Sequence, residues 1–149
     1  GILIDAQGIE TKRFDVKDGH GVKLLQRAGI QVALLTGRTS QVVSRRAEEL
    51  QITEVIQGAK RKKEAYDLLK ERTGFQDTEI AYIGDDVVDI PVLRRVGTAF
   101  AVQDAVDEVK AISHYVASRP GGKGAVREIA QFILQTQKRW DAVMERYYL

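Results

Sequence analysis

Cysteine is absent from the 149 residues, so neither disulfides nor thiolate metal sites contribute, and any metal must sit on oxygen ligands. That agrees with a reducing compartment. No stretch approaches the roughly 20 apolar residues that span a bilayer, and the opening GILIDAQGIE lacks the basic flank and long apolar run of a leader. We therefore expect a cytoplasmic protein without a membrane partner. A bias toward one charge is missing too. Twenty-three basic and 21 acidic residues leave a net charge of +2, which argues against nucleic acid as the main partner and leaves room for a small anionic substrate. What is present, 44% hydrophobic and 30% charged residues, is enough for one globular domain with a core but not for a second.

Along the chain, Ile2 to Ile4 and Ile9 to Val16 read as two strands joined by the turn Asp5-Ala6-Gln7-Gly8, an N-terminal β-hairpin. Asp18 is a candidate N-cap for a helix carrying Val22, Leu25 and Ala28, with Gly29 as its stop. Ile30 to Leu35 is an apolar run expected of a parallel strand buried on both faces. The pattern then predicts a helix from Ser40 to Leu50, a strand at Val55-Ile56, a helix over Lys62 to Thr73 stopped by Gly74, and a strand at Ile80 to Ile83. Further signals are a helix near Pro91 to Val96, a strand at Thr98 to Val102, short elements at Ala105 to Ala111 and Tyr115 to Ala117, and a long amphipathic helix through Trp140. The alternation implies an α/β fold with a doubly wound, Rossmann-like parallel sheet.

In such sheets ligands gather at the carboxyl ends of the strands. Three predicted strands end in polar residues: Thr36-Gly37-Arg38, Gln57-Gly58 shortly before Lys62, and Gly84-Asp85-Asp86 with Asp89 beyond. Three carboxylates within five residues repel one another unless a cation offsets them, and hard oxygen donors favour Mg²⁺. Helix capping and dipole compensation explain the same acidic residues without a metal. Thr36 and Gly37 offer a hydroxyl and an accessible N–H for phosphate oxygens, and Arg38 offers a bidentate anion contact. Lys62 lies in the basic stretch Lys60-Arg61-Lys62-Lys63, which also reads as a solvated helix face.

A threonine after a strand, then a lysine, then GDDxxD resemble the second to fourth motifs of the haloacid dehalogenase superfamily. The stretches KRFDVKDGHGVKLLQRAGIQVALLTGR, VIQGAKRKK, AYIGDDVVDIPVLRRVG and RPGGKGAVREIAQFILQTQKRWD extend the likeness along the whole chain. They resemble most the cap-less 3-deoxy-D-manno-octulosonate-8-phosphate phosphatases. The resemblance implies Asp85 as a Mg²⁺ ligand, Asp86 and Asp89 in its support, and Thr36 and Lys62 on the phosphoryl group. It places Asp15, Val16, Lys17, Asp18, Gly19, Lys23, Gly37, Arg38 and Arg46, with Lys62, against an acidic sugar substrate. It also implies a homotetramer built through the hairpin.

The family's first motif, DxDGVLTDG, carries the nucleophilic aspartate and an acid/base aspartate ahead of the hairpin, and only its last glycine aligns here, with Gly1. The expectation is a single phosphatase domain, residues 1–149, lacking its first strand, with an aspartyl-phosphate formed by an aspartate upstream and little turnover from these residues alone. Two rivals accompany it. One is a catalytically inactive oligomerisation module related to those of sugar-nucleotide synthetases, which has no need of Thr36, Lys62, Asp85, Asp86 and Asp89. The other is a phosphatase for a nine-carbon sialic-acid-like phosphate. His20 reads as a solvent-facing helix residue and His114 as structural, the Arg119 to Gly124 segment as a mobile loop near the site, and Trp140, Tyr147 and Tyr148 as packing residues.

Overall fold

A computed structural model describes residues 2–149; Gly1, and with it the alignment to the family's first motif, lies outside them. Strands β1 (Ile2–Ile4) and β2 (Glu10–Lys12) form the antiparallel hairpin, with Ile2 opposite Lys12. Its turn closes on the Asp5 carboxylate, which accepts from the Gln7 and Ile9 amides at 3.0 and 2.7 Å. Helix α1 (Val16–Arg27) follows, capped by Asp15 rather than by Asp18. Asp18 lies inside the first turn and reaches across to accept from the Gly124 and Arg127 amides at 3.1 and 2.9 Å. A capping residue thus belongs to one helix, while its neighbour three positions on ties down another.

Strand β3 (Ala33–Leu35), helix α2 (Gln41–Leu50), strand β4 (Glu54–Ile56) and helix α3 (Lys62–Thr73) come next, with Gly74 at φ +77° ending α3 as expected. Strand β5 (Ala81–Gly84) leads through a 3-10 turn at Val87–Asp89 into the short helix α4 (Ile90–Leu93). Strand β6 (Thr98–Ala101), helix α5 (Asp107–Ile112), strand β7 (Tyr115–Val116) and helix α6 (Ala125–Thr136) complete the alternation. The single long C-terminal helix of the sequence reading is two: Lys138 takes a left-handed φ of +55°, and α7 (Trp140–Met144) starts anew. The left-handed residue reverses the chain so that Trp140 packs on Leu24, Leu25 and Leu134.

All pairing among β3 to β7 is parallel, as an α/β fold requires, but it falls into two sheets, β3–β4 and β5–β6–β7. Strand β3 is therefore an edge, which is why Ala33 is exposed and Leu34 and Leu35 only partly buried, against the expectation of a strand covered on both faces. Leu35, Tyr82 and Ile83 nonetheless pack on one core with Phe100, Leu93, Val109 and Ile129. Tyr66 of α3 is fully buried there, its hydroxyl donating to Asp77 at 2.7 Å. His114 is structural, its Nδ1 accepting from the Ala99 amide at 2.8 Å.

Helices α1 and α6 approach so closely that a Cβ on Gly21 would lie 2.9 Å from the Arg127 Cα. Backbone cannot yield as a flexible side chain does. Gly21→Ala is expected to push α1 off α6 and destabilise the fold by about 1–3 kcal/mol, read as a lower urea midpoint; an unchanged midpoint would show that the two helices can separate freely.

Candidate active site

The carboxyl end of β5 is organised around one buried charge. Asp89 is 1% exposed. Its Oδ1 pairs with the Lys62 ammonium and accepts from the Tyr82 hydroxyl at 2.8 Å; its Oδ2 accepts from the Asp85 and Asp86 amides at 3.0 and 3.3 Å. A carboxylate taken out of water is tolerated only when so many donors replace its hydration. Burial opposes the Asp89 charge, but the Lys62 ammonium, the backbone amide and the Tyr82 hydroxyl outweigh it and hold its pKa below the ordinary value. Tyr82 is pushed the other way, by burial and by the carboxylate beside it, so its phenol stays protonated as a donor.

Lys62 opens α3, where a cation faces the positive end of the helix dipole. Asp89 offsets that cost. The ammonium carries three donors; one goes to Asp89 and one to the Tyr82 oxygen at 3.2 Å, which leaves one for an anion. Gly84 leaves no space for a side chain, since a Cβ there would stand 2.9 Å from both the Asp89 Cβ and the Leu93 Cδ1. Asp85, by contrast, is exposed, yet partial loss of solvent around its carboxyl and then the neighbouring Asp89 raise its pKa. Asp86 turns its carboxylate onto the Val87 amide at 2.7 Å and caps the 3-10 turn, as the capping reading anticipated.

Thr36, Gly37 and Arg38 leave β3 at the same end of the fold. The Thr36 amide donates to the Ile56 carbonyl at 2.9 Å, and its carbonyl accepts from Ala59 at 3.0 Å, so this loop is braced to the one that delivers Lys62. Ser40 does not cap α2 with its side chain. Its hydroxyl donates to Glu10 at 2.6 Å and its amide to the Gln57 side chain at 2.8 Å. Arg38 also reaches Glu10, at 3.1 Å, which pins the hairpin to the Thr36 loop. The Ser40, Arg38 and Lys12 side chains lower the Glu10 pKa to about 2.

Of the residues assigned to the sugar, Asp15 to Gly19 form the capped start of α1, with Val16 exposed and Arg46 lying over Gly19, its Nη2 in the space that an added Cβ would take. Arg46 also pairs with Glu49 at 3.1 Å and covers the Phe14 ring. The Lys23 ammonium instead binds the end of α2, donating to the Leu50 carbonyl and the Gln51 side chain, both at 2.8 Å. Tyr82 and Glu10 escaped the sequence reading. A tyrosine two residues before the strand-ending Gly84 is the one signal that could have flagged Tyr82; Glu10 carried none.

Among the described residues no three His, Asp or Glu side chains converge as a metal cage. Mg²⁺ does not ask for one: it is held by one or two carboxylates, with water and phosphate oxygens completing an octahedron. The exposed Asp85 matches that donor chemistry, whereas Asp89 is saturated by its four donors.

Two outcomes follow from this wiring. Lys62→Met should cost roughly 3–5 kcal/mol in urea unfolding, because it strands a buried carboxylate, and adding Asp89→Asn should restore part of the loss; a silent Lys62→Met would mean that the pair is not formed. Glu10 has a depressed pKa, so its contribution to stability is complete above about pH 4.5 and fades as pH falls toward about 2. The stability difference between the wild type and Glu10→Gln should therefore shrink over that window, and a gap constant with pH would exclude the link.

Residues 15–97 match the haloacid dehalogenase-like hydrolase family. The chain is 41% identical over 140 residues to the 3-deoxy-D-manno-octulosonate 8-phosphate phosphatase of Yersinia pestis, covering 94% of this chain and 75% of that protein. Identity to the Haemophilus influenzae phosphatase of the same name is 46% over 134 residues, covering 89% and 74%. The fold superposes with TM-score 0.95 and 39% identity on the Moraxella catarrhalis phosphatase of that name in complex with magnesium, phosphate and KDO, covering 99% of this chain and 84% of that one. The chain thus belongs to the haloacid dehalogenase-like hydrolases, among relatives that are 3-deoxy-D-manno-octulosonate 8-phosphate phosphatases.

Proposed function

We propose that this protein hydrolyses the phosphate monoester of 3-deoxy-D-manno-octulosonate 8-phosphate to the free sugar acid and phosphate, a step of lipopolysaccharide assembly, with Mg²⁺ as cofactor. The observation that carries this reading is the Lys62–Asp89–Tyr82 cluster at the end of β5, which holds an ammonium with a donor to spare beside the exposed Asp85. In this reading Lys62 and the Thr36 hydroxyl grip the phosphoryl oxygens, and Gly37 adds its amide. Asp85 would hold Mg²⁺, which when bound supplies positive charge against the phosphoryl group. Asp89 and Asp86 would act through position, the first by fixing Lys62 and the Asp85 amide, the second by capping the turn.

The acidic sugar is assigned to Asp15, Val16, Lys17, Asp18 and Gly19 with Arg46 and Arg38, which the fold arranges around the start of α1 and the end of β3. Lys23 enters this set through one remaining donor. The nucleophilic aspartate and its acid/base partner are assigned to a segment upstream of residue 1, and residues 1–149 to a single domain completed by that segment. Supporting this, among the described residues β3 pairs only with β4 and β5 only with β6, so each keeps an edge open to a further parallel strand. Asp5 is unsuited to the role, since its carboxylate closes the hairpin turn. The hairpin exposes Leu3 at 71%, Ile4 at 60% and Ile9 at 63%, an apolar strip that supports assembly through it into a homotetramer. The assignment to the cytoplasm rests on the nature of the substrate; among the described residues no helix is long and apolar enough to cross a membrane.

The test uses the protein with its native N-terminus. Phosphate release from 3-deoxy-D-manno-octulosonate 8-phosphate should require Mg²⁺ and fall ~100-fold or more in a folded Asp85→Ala variant. Preference for a nine-carbon sugar-acid phosphate would overturn the substrate, and no release from either would leave the oligomerisation module.

A further inference from the structure

Between α6 and residues 115–124 runs a groove of about 460 Å³ that none of Thr36, Lys62, Asp85, Asp86 and Asp89 lines. Four cations do line it: Lys17, Arg119, Lys123 and Arg127. Among the described residues none of the four forms an ion pair. The two carboxylates of the lining are Asp15 and Glu128. Both are engaged with neutral donors. Glu128 accepts from the Tyr115 hydroxyl, the Ser118 amide and hydroxyl, and the Arg119 amide at 2.8 to 3.1 Å. Asp15 accepts from the Lys17 and Asp18 amides at 2.7 and 3.4 Å. These carboxylates shape the wall and leave the cations unneutralised.

One side of the groove is aromatic. Tyr115 and Phe132 stack with ring centroids 4.4 Å apart, and Phe132 is 36% exposed. The Gln131 and Gln135 side chains add neutral amides along the same face of α6.

We propose that this groove is a second anion site, for an organic phosphate with a planar ring: the phosphate lies between Lys123 and Arg119, and the ring rests on Phe132. The excess of two positive charges in the lining matches a phosphate monoester, which carries about −1.5 to −2 at neutral pH, and the guanidinium fork fits its oxygens. Asp15 and Lys17 are shared with the residues assigned above to the acidic sugar, but Arg119, Lys123 and Phe132, on which the inference rests, are not, so it does not depend on the phosphatase reading.

The probe is phenylphosphonate, whose C–P bond a phosphatase does not hydrolyse, titrated into the ¹⁵N-labelled full-length protein at low ionic strength. Saturable shifts are expected at Gly124, Gln131 and Gln135, with inorganic phosphate binding more weakly because it forgoes the ring contact. Lys123→Glu should weaken phenylphosphonate by about tenfold or more. Its side chain makes no hydrogen bond that the fold needs; Arg119→Glu supplies the same readout should that variant fail to fold. Shifts confined to residues 36–38 and 84–89, no saturation, or affinity unchanged by these reversals would overturn the proposal.

Discussion

The pairing of Lys62 with Asp89 is the contact on which the carboxyl end of the sheet depends. Neither charge is stable alone. A lysine at the first residue of a helix meets the positive end of the dipole, and a carboxylate 1% exposed has lost its water. Together each removes the other's penalty, and Tyr82 with the Asp85 and Asp86 amides takes up the remaining lone pairs. The result joins α3 to β5 and forces Gly84 to be glycine, because Asp89 and Leu93 occupy the space of its side chain.

The same economy recurs elsewhere. Asp15, Asp18, Asp86, Asp89 and Glu128 each spend their oxygens at least partly on backbone amides. Carboxylates used in this way fix loops and helix starts instead of neutralising distant cations. A chain whose net charge is only +2 therefore presents strongly uneven local charge. The spare donor on Lys62 and the cations beside α6 both follow from it. Glu10 is the counterexample: it binds Lys12, Arg38 and Ser40 together and so makes the hairpin part of the Thr36 loop's support.

Much of the architecture was legible in the residues. Helix α3 begins at Lys62 and ends at Thr73 as the pattern predicts, because a left-handed glycine follows it. The hairpin, the strands and their order follow from short apolar runs separated by turn residues. Other features, beyond the edge position of β3 and the roles of Tyr82 and Glu10, were not legible either. The Asp15 and Asp18 roles exchange because both lie within reach of a helix start, and only the approach of α6 decides which one caps α1. Ser40 has the composition of a cap, yet the hairpin brings it a carboxylate that it bonds instead. The break at Lys138 has no glycine to announce it.

By itself the sequence determined the fold class, through local periodicity, and pointed to the family through the resemblance of its motifs in their order along the chain. Tertiary structure alone decided which carboxylate is buried and which is exposed. By residue type alone Asp85, Asp86 and Asp89 are equivalent acids, and only the family resemblance told them apart. They become a solvent-facing ligand candidate, a cap and a lysine partner because strand β5 ends beside α3 and turns there, and that juxtaposition is set by contacts 20 and 27 residues apart.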